Sequence, residues 1–267
     1  MNIHQLANEI KTKKSYLCVG LDTEFSKIPK HLQANKNAIV DFNKAIVDAT
    51  LPYCVSYKIN TAFYEVLGSK GWDIMQETFD YIPNTHFKIA DAKRGDIGNT
   101  SSQYAKAFFE TLNADAITVA PYMGEDSIAP FLAYENKTTI VLALTSNNGA
   151  KDFEMLTTNG SYLYEEVIKK VSSWGTEGNL MFVVGATQTQ ELQNIRKLIP
   201  NHFLLVPGVG FQGGSLADVS TFGLTQSKSG VLINASRAII YASEGENFAT
   251  EAAAIAQQYV AEMQAYL

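Results

Sequence analysis

Two lysines and two aspartates stand out because their spacing could produce an array of alternating charges. Asp91 and Lys93 lie two residues apart, so they project to the same side of an extended chain. Asp96 follows after a glycine-containing turn, and Lys58 ends a separate apolar run. Nearby carboxylates favour the charged form of an ammonium, and the array would present negative charge to a substrate anion. The alternative is a turn whose charges face water, but the coincidence with a second strand-end lysine weighs against it.

A glycine-rich segment at residues 207–214 (Pro-Gly-Val-Gly-Phe-Gln-Gly-Gly) indicates a second kind of site. It contains the Gly-x-Gly-x-x-Gly fingerprint of dinucleotide-binding proteins. That fingerprint requires an acid about 20 residues past the turn, whereas Asp218 comes too soon and Glu244 too late. Glycine also lets backbone N–H groups approach a phosphate, and Arg237 could add a bidentate donor. We therefore predict a phosphate site, the alternative being a flexible turn with a surface arginine.

Other kinds of site find little support in the sequence. The four histidines lack the spacing of metal ligands, and no Gly-x-Ser-x-Gly nucleophile motif is present. Cys18 and Cys54 lie inside apolar runs, which predicts buried, reduced thiols. The net charge of −6 argues against nucleic-acid binding. The sequence shows neither a signal peptide nor an apolar segment of the ~18 residues that cross a membrane, so we expect a cytoplasmic protein.

The elements that must position these residues follow from the hydrophobic pattern. Eight short apolar runs recur along the chain, at residues 15–21, 53–59, 86–90, 116–120, 139–144, 180–184, 202–206 and 230–234. Several lack alternation, which is typical of parallel strands buried on both faces. Apolar residues at helical spacing lie between or after them: Ile39, Phe42, Ile46 and Ala49; Leu163, Val167, Ile168 and Val171; Ile255, Tyr259, Met263 and Tyr266.

This alternation predicts an α/β protein, a (β/α)8 TIM barrel, as a single domain over residues 1–267, with a short helix at residues 2–12 closing the bottom. A doubly wound sheet is the alternative, since alternation alone does not establish closure. In either fold the chemistry lies at the carboxyl ends of the strands. The residues found there are Asp22, Lys58, Asn60, the segment 91–96, Pro121, the segment 145–147, the segment 207–214, Ser236 and Arg237.

The residue order in two of these segments resembles the motifs of a known family. Residues 91–100 read Asp-x-Lys-Arg-Gly-Asp-Ile-Gly-Asn-Thr, and together with the 207–214 loop they are similar to orotidine 5′-phosphate decarboxylases of the longer bacterial subfamily. The resemblance extends from about residue 16 to residue 241. It implies a homodimeric (β/α)8 barrel that converts orotidine 5′-monophosphate to UMP and CO2, in the last step of UMP biosynthesis, without a metal ion or cofactor.

The resemblance also implies roles for single residues. Lys93 would be the general acid that delivers a proton to pyrimidine C6. Asp91 would lie beside the substrate carboxylate, and Lys58 would bridge the charged array and the ribose. Three residues would reach into the neighbouring subunit's site: Asp96, Ile97 and Thr100.

The remaining matched positions would bind substrate. These are Asp22 at the ribose hydroxyls, Ser146 at the pyrimidine amide, Pro207 against the base, and Gln212 and Arg237 as a clamp on base and phosphate; Asn60 is a further candidate. Many family members have Gly-Arg after the eighth strand, where this chain has Ser236-Arg237. The added hydroxyl and β-carbon bear on the geometry of the phosphate loop.

Two other functions fit parts of the pattern. A related barrel that decarboxylates or condenses sugar phosphates would share the Asp-x-Lys-x-x-Asp rim but use Mg²⁺, which makes it sensitive to chelators. A non-catalytic nucleotide-phosphate binding protein on the same fold would be expected to have lost Lys93 or Asp91, and both are present.

Overall fold

The computed structural model describes residues 1–186, 189–210 and 214–267. Within them, eight parallel strands close into a barrel in which each strand pairs with its sequence neighbours and the last pairs with the first. The strands are β1 (Leu17–Gly20), β2 (Ser56–Asn60), β3 (Phe87–Arg94), β4 (Ala116–Val119), β5 (Thr138–Leu144), β6 (Leu180–Val184), β7 (Phe203–Pro207) and β8 (Val231–Ala235). The predicted TIM barrel is confirmed, and the doubly wound sheet is excluded.

Two strand limits differ from the prediction for identifiable reasons. β2 begins at Ser56 because the N–H groups of Tyr53 and Cys54 bond back to Thr50 O, which ends the preceding helix. β3 continues to Arg94, so Asp91 and Lys93 lie inside the strand and not in the loop after it. All eight apolar runs nevertheless contain a strand, because side chains buried on both faces must be apolar.

Helices surround the barrel and cover the outer faces of its strands. They are α1 (Ile3–Lys13), α2 (Lys30–Gln33), α3 (Ala38–Thr50), α4 (Ala62–Glu65), α5 (Ser69–Tyr81), α6 (Gly98–Lys106), α7 (Glu125–Leu132), α8 (Leu163–Ser172), α9 (Thr189–Leu198), α10 (Leu216–Gly223), α11 (Arg237–Ile240) and α12 (Phe248–Met263). A π-helical turn (Ala107–Thr111) continues α6, and 3-10 turns occur at Phe25–Lys27 and Asn148–Asp152. A short antiparallel pair, Thr157–Thr158 with Ser161–Tyr162, precedes α8.

The three helical periods correspond to α3, α8 and α12, although α12 is rotated by about one residue from the prediction. Its fully buried face is Ala252, Ala256, Val260 and Met263, while Ile255 and Tyr259 are only partly buried and Tyr266 lies beyond the helix. The small alanines face inward, and Phe248 at the helix start stacks on Phe42 of α3 with ring centroids 5.2 Å apart. No helix among the described residues is long and apolar enough to span a membrane.

Helix α1 and the residues before it contact residues that precede strands: Met1 N bonds to Asp115 Oδ1 before β4, and Lys13 Nζ to Cys54 O before β2. Its buried face consists of Ile3, Leu6 and Ile10. At its end the Lys13 ammonium donates to Leu51 O and Cys54 O, each at 3.0 Å, and lies 2.7 Å from His86 Nε2. The same Nε2 lies 3.1 Å from Leu51 O, and Nδ1 lies 3.1 Å from Thr85 Oγ1, so both ring nitrogens have polar neighbours. Burial and the adjacent ammonium lower the pKa of His86 to about 4.

Both cysteines are free and buried, as the sequence predicts. Burial raises the pKa of Cys18 to about 12 and that of Cys54 to about 11. Thiols with such pKa values remain protonated near neutral pH and are poor nucleophiles. Neither cysteine therefore belongs to a reactive site.

Candidate active site

A cavity of about 330 Å³ opens at the carboxyl ends of the strands. It collects predicted residues from six of the eight strand ends. They are Asp22, Lys58, Asn60, Asp91, Lys93, Ser146, Pro207 and Arg237. Its floor includes the apolar side chains of Leu142, Val183 and Leu205. An apolar floor under a charged wall gives a site in which electrostatic interactions are weakly screened.

The charged wall is a continuous chain of four side chains drawn from three neighbouring strands. Lys58 Nζ lies 3.3 Å from Asp22 Oδ1 and 3.0 Å from Asp91 Oδ2. The other oxygen of Asp91 accepts a hydrogen bond from Lys93 Nζ at 2.6 Å. The order Asp22, Lys58, Asp91, Lys93 alternates in sign, so each inner group has an opposite charge on both sides.

Burial makes these contacts strong. Lys58 and Asp91 are only 4% and 8% exposed. Burial alone would raise the pKa of Asp91, but the ammonium groups of Lys58 and Lys93 outweigh it and hold that pKa well below its usual range. Burial alone would lower the pKa of Lys58, but Asp22 and Asp91 hold it above its usual range. Both groups are therefore ionised across the physiological pH range.

Lys93 differs from Lys58 in its exposure and backbone. Its side chain is 47% exposed and reaches into the cavity. Its φ of +48° lies in the left-handed region, which costs an L-residue about 1–2 kcal/mol. The pairing of β3 with β4 shifts at this point, because Ala90 faces Ile117 whereas Arg94 faces Val119. Four steps along β3 thus match two along β4, and this bulge redirects the lysine into the mouth of the barrel.

The fourth predicted member of the array lies elsewhere in this chain. Asp96 Oδ1 accepts the N–H of Ile97 at 2.8 Å, directly before α6. Ile97 is 63% exposed and Thr100 is exposed as well. Asp96, Ile97 and Thr100 are not among the residues that line the cavity. Within one chain, the second carboxylate of the array is that of Asp22.

Asp22 is fixed by backbone groups as well as by lysine. Its Oδ1 accepts the N–H of Asn60 at 3.2 Å, which joins the ends of β1 and β2. The hydroxyl of Tyr241 donates to Asp22 O at 3.2 Å and accepts the N–H of Glu24 at 2.7 Å. Sequence analysis did not single out Tyr241, because a tyrosine beyond the last strand carries no spacing signal.

The segment after β5 is held by an acid that sequence analysis also missed. Glu154 accepts the N–H of Thr145 at 2.7 Å and the Thr145 hydroxyl at 2.9 Å. Ser146 and Asn147, which line the cavity, follow directly. No motif spacing links an acid nine residues away to a strand end, so only the fold reveals this contact.

The first residues of the glycine-rich segment after β7 line the cavity. Gly208 and Gly210 have φ values of +95° and +77°, which a side chain would disfavour. Pro207, Gly208 and Val209 line the cavity beside Arg237, the first residue of α11. The loop leads from β7 to α10 of a closed barrel and not of a doubly wound sheet. Gln212 lies outside the described residues.

Ser236 packs against β1. Its hydroxyl donates to Gly20 O at 3.0 Å. A β-carbon on residue 20 would lie 2.8 Å from Ser236 Cβ and 3.2 Å from Asn234 Oδ1, so the serine requires glycine at position 20. The hydroxyl that departs from the common Gly-Arg pattern thus has a backbone partner in the neighbouring strand.

Among the described residues, no group of three or more His, Cys, Asp or Glu side chains is arranged to hold a metal ion. The cavity is lined by the charges of the Asp22–Lys58–Asp91–Lys93 array and of Arg237, which follows the strand paired with β1. A closed parallel barrel with such an array and a glycine loop at one mouth defines a (β/α)8-barrel enzyme.

Comparison with known proteins agrees with this class. The family model described as orotidine 5′-phosphate decarboxylase / HUMPS family matches residues 15–252. The chain belongs to this family, which confirms the resemblance found in the sequence.

Relatives match over nearly their whole length. The orotidine 5′-phosphate decarboxylase of Phocaeicola vulgatus is 56% identical, over 99% of this chain and 98% of the relative. That of Flavobacterium johnsoniae is 57% identical, over 94% and 93%. The structure of Leishmania donovani OMP decarboxylase superposes with a TM-score of 0.85 at 36% identity and covers 100% of both chains.

Proposed function

We propose that this chain decarboxylates orotidine 5′-monophosphate to UMP and CO2, the last step of UMP biosynthesis. The observation that carries the proposal is the alternating array Asp22–Lys58–Asp91–Lys93, which lies at the mouth of the barrel in a member of this family. The charges come from side chains of the chain itself, so the proposed reaction requires neither a metal ion nor an organic cofactor.

The reaction demands a large lowering of its barrier. Loss of CO2 from C6 leaves an electron pair in an sp² orbital that the pyrimidine ring stabilises poorly. The enzyme must therefore reduce the barrier by an amount at the upper end of the known range, above about 20 kcal/mol. No single hydrogen bond supplies this, so several groups must act together in the transition state.

Lys93 is the proposed general acid. Its exposed ammonium is anchored on Asp91 at 2.6 Å, which leaves two N–H bonds for other acceptors. As the C6–CO2 bond breaks, this positive charge stabilises the developing carbanion. A proton then passes from Nζ to C6, and UMP is formed.

Asp91 is proposed to act on the substrate's carboxylate. The two lysines keep Asp91 ionised, so a substrate carboxylate placed beside it is repelled. That repulsion is relieved when the carboxylate departs as neutral CO2. We assign the larger share of the barrier reduction to Lys93, because the attraction between ammonium and carbanion grows as the transition state is approached.

The other cavity residues are proposed to bind the rest of the nucleotide. Lys58 and Asp22 would contact the ribose hydroxyls from the end of the array, with Asn60 beside them. Arg237 would bind the phosphate bidentately. The proposed base contacts are Ser146, Pro207 and Gln212. Phosphate binding energy supplied at the end of β8 would help to position C6 over Lys93.

A homodimer with shared sites is part of the proposal. Asp96, Ile97 and Thr100 stand at the start of α6, outside their own cavity, and Ile97 is exposed. We propose that they complete the cavity of a second copy, where Asp96 would extend the charged array. We also propose that the chain acts as a single barrel domain over residues 1–267, in the cytoplasm.

The direct test is the loss of orotate absorbance when the purified protein meets orotidine 5′-monophosphate, with and without EDTA. We expect rapid loss that resists the chelator and disappears in Lys93→Ala. Inhibition by EDTA, with turnover of a sugar phosphate instead, would point to a metal-dependent barrel. Tight binding of UMP without any turnover would leave only a nucleotide-binding function.

A further inference from the structure

The hydroxyl of Thr118 on β4 joins two members of the charged array. Its Oγ1 donates to Asp91 Oδ1 at 2.9 Å and accepts the backbone N–H of Lys93 at 2.9 Å. Thr118 is completely buried and does not line the cavity. Its hydroxyl therefore contacts the array from the barrel interior, on the side away from the cavity.

The direction of both bonds is determined by chemistry. An amide N–H can only donate, so the hydroxyl must accept from Lys93. Its single proton is then free to point at the carboxylate, which can only accept. Because the hydroxyl is shielded from water, no solvent molecule competes for either bond.

The need for this hydroxyl arises from the bulge in β3. Between Ala90 and Arg94 the strand leaves its register with β4, and Thr118 stands opposite the displaced residues. The N–H of Lys93 donates to the side-chain hydroxyl of Thr118. Lys93 also has the left-handed φ. The hydrogen bond from Lys93 N–H therefore holds this backbone conformation at the point where the lysine side chain enters the cavity.

We propose that Thr118 is a positioning residue that sets the relation between the Asp91 carboxylate and the Lys93 ammonium through one hydroxyl. It fixes one carboxylate oxygen and the backbone of the lysine that bonds to the same oxygen. Its effect on decarboxylation rests on the proposed function, whereas its effect on geometry does not.

The test removes the hydroxyl while keeping the shape of the side chain. In Thr118→Val both bonds are lost, and in Thr118→Ser both can form. The matched control is Thr139→Val, since Thr139 is a buried threonine of the next strand whose hydroxyl has no hydrogen-bond partner among the described residues. The measurements are kcat and KM for orotidine 5′-monophosphate, the Kd for UMP, and a crystal structure of each variant.

We expect Thr118→Val to lower kcat at least tenfold while the Kd for UMP changes less than threefold. Thr118→Ser should recover kcat to within about threefold of the parent enzyme, and Thr139→Val should match the parent. A valine variant with unchanged kcat in an active enzyme would overturn the proposal, as would a serine variant as impaired as valine. If the parent enzyme does not turn over the substrate, the proposed function fails. The crystal structure of Thr118→Val then still tests the positioning role: an altered Asp91–Lys93 contact supports it, and an unchanged contact overturns it.

Discussion

Gly20 and Ser236 occupy complementary space across the junction of the first and last strands. The serine hydroxyl donates to Gly20 O, and the serine β-carbon would lie 2.8 Å from a β-carbon on residue 20. The two positions should therefore be coupled in their effect on stability.

We expect Gly20→Ala to destabilise the protein by about 1–3 kcal/mol, because the new methyl group overlaps Ser236. This corresponds to a fall in Tm of roughly 2–10 °C, measured by thermal unfolding. In the double variant Gly20→Ala, Ser236→Gly the overlap with the serine is removed, and much of the lost Tm should return. Additive effects of the two substitutions would contradict the proposed contact.

Lys93→Ala removes the ammonium that the proposed mechanism uses for both stabilisation and proton transfer. Each of these contributions is worth about 10² to 10⁴ in rate, so kcat should fall by at least about 10⁴. Circular dichroism and UMP binding should stay close to those of the parent protein. Lys106→Ala, at the end of α6, is a surface-lysine control. Substantial turnover by Lys93→Ala would exclude the lysine as the general acid.

Arg237→Ala tests the proposed phosphate contact at the end of β8. Charge-assisted hydrogen bonds contribute about 1.5–3 kcal/mol, so KM should rise roughly 10- to 150-fold. Turnover of orotidine without its phosphate should change little, since that substrate offers nothing for the arginine to bind. An unchanged KM for the phosphorylated substrate would show that another group holds the phosphate.

Stability should depend on pH through His86. Its pKa is about 4 in the folded protein and about 6.5 when unfolded, so the unfolded state binds more protons between these values. The stabilising effect of a neutral His86 is thus fully present above pH 6.5 and is lost as the pH falls to 4, at a cost of up to roughly 3 kcal/mol. Urea unfolding between pH 4 and 7 should show this slope.

His86→Gln should flatten part of that slope. A remainder is expected from His202, whose pKa burial also lowers. If the slopes of the variant and the parent are the same, the Lys13–His86 contact does not control the acid response.

Mixing two inactive variants tests the shared site. In a dimer of Lys93→Ala with Asp96→Ala, one cavity would carry both changes and the other neither. Random reassortment should therefore restore about one quarter of the wild-type sites, whereas each variant alone stays inactive. Activity that fails to return in a verified mixed dimer would mean that Asp96 acts within its own chain.

The barrel could be predicted because its strands must be apolar on both faces and its helices on one. The same reasoning located Asp22, Lys58, Asp91 and Lys93 at one mouth, since parallel strands end together. Their order of pairing could not be predicted, because a two-residue bulge in β3 decides where Lys93 points. The contacts of Thr118 and Glu154 could not be predicted for a related reason. A threonine inside a strand and an acid in a loop carry no sequence signal that identifies their hydrogen-bond partners.

The pairing of β8 with β1 places the seam of the barrel directly beneath the cavity. Val19 faces Ala235 there, with Asp22 just beyond one strand and Arg237 just beyond the other. A nucleotide held by both side chains, as proposed, would tie the first strand to the last. Amide hydrogens of Leu17–Gly20 and Val231–Ala235 should then exchange more slowly when UMP is bound, because opening the seam would require the ligand to leave. Binding of the nucleotide and opening of the β1–β8 pairing should therefore oppose each other.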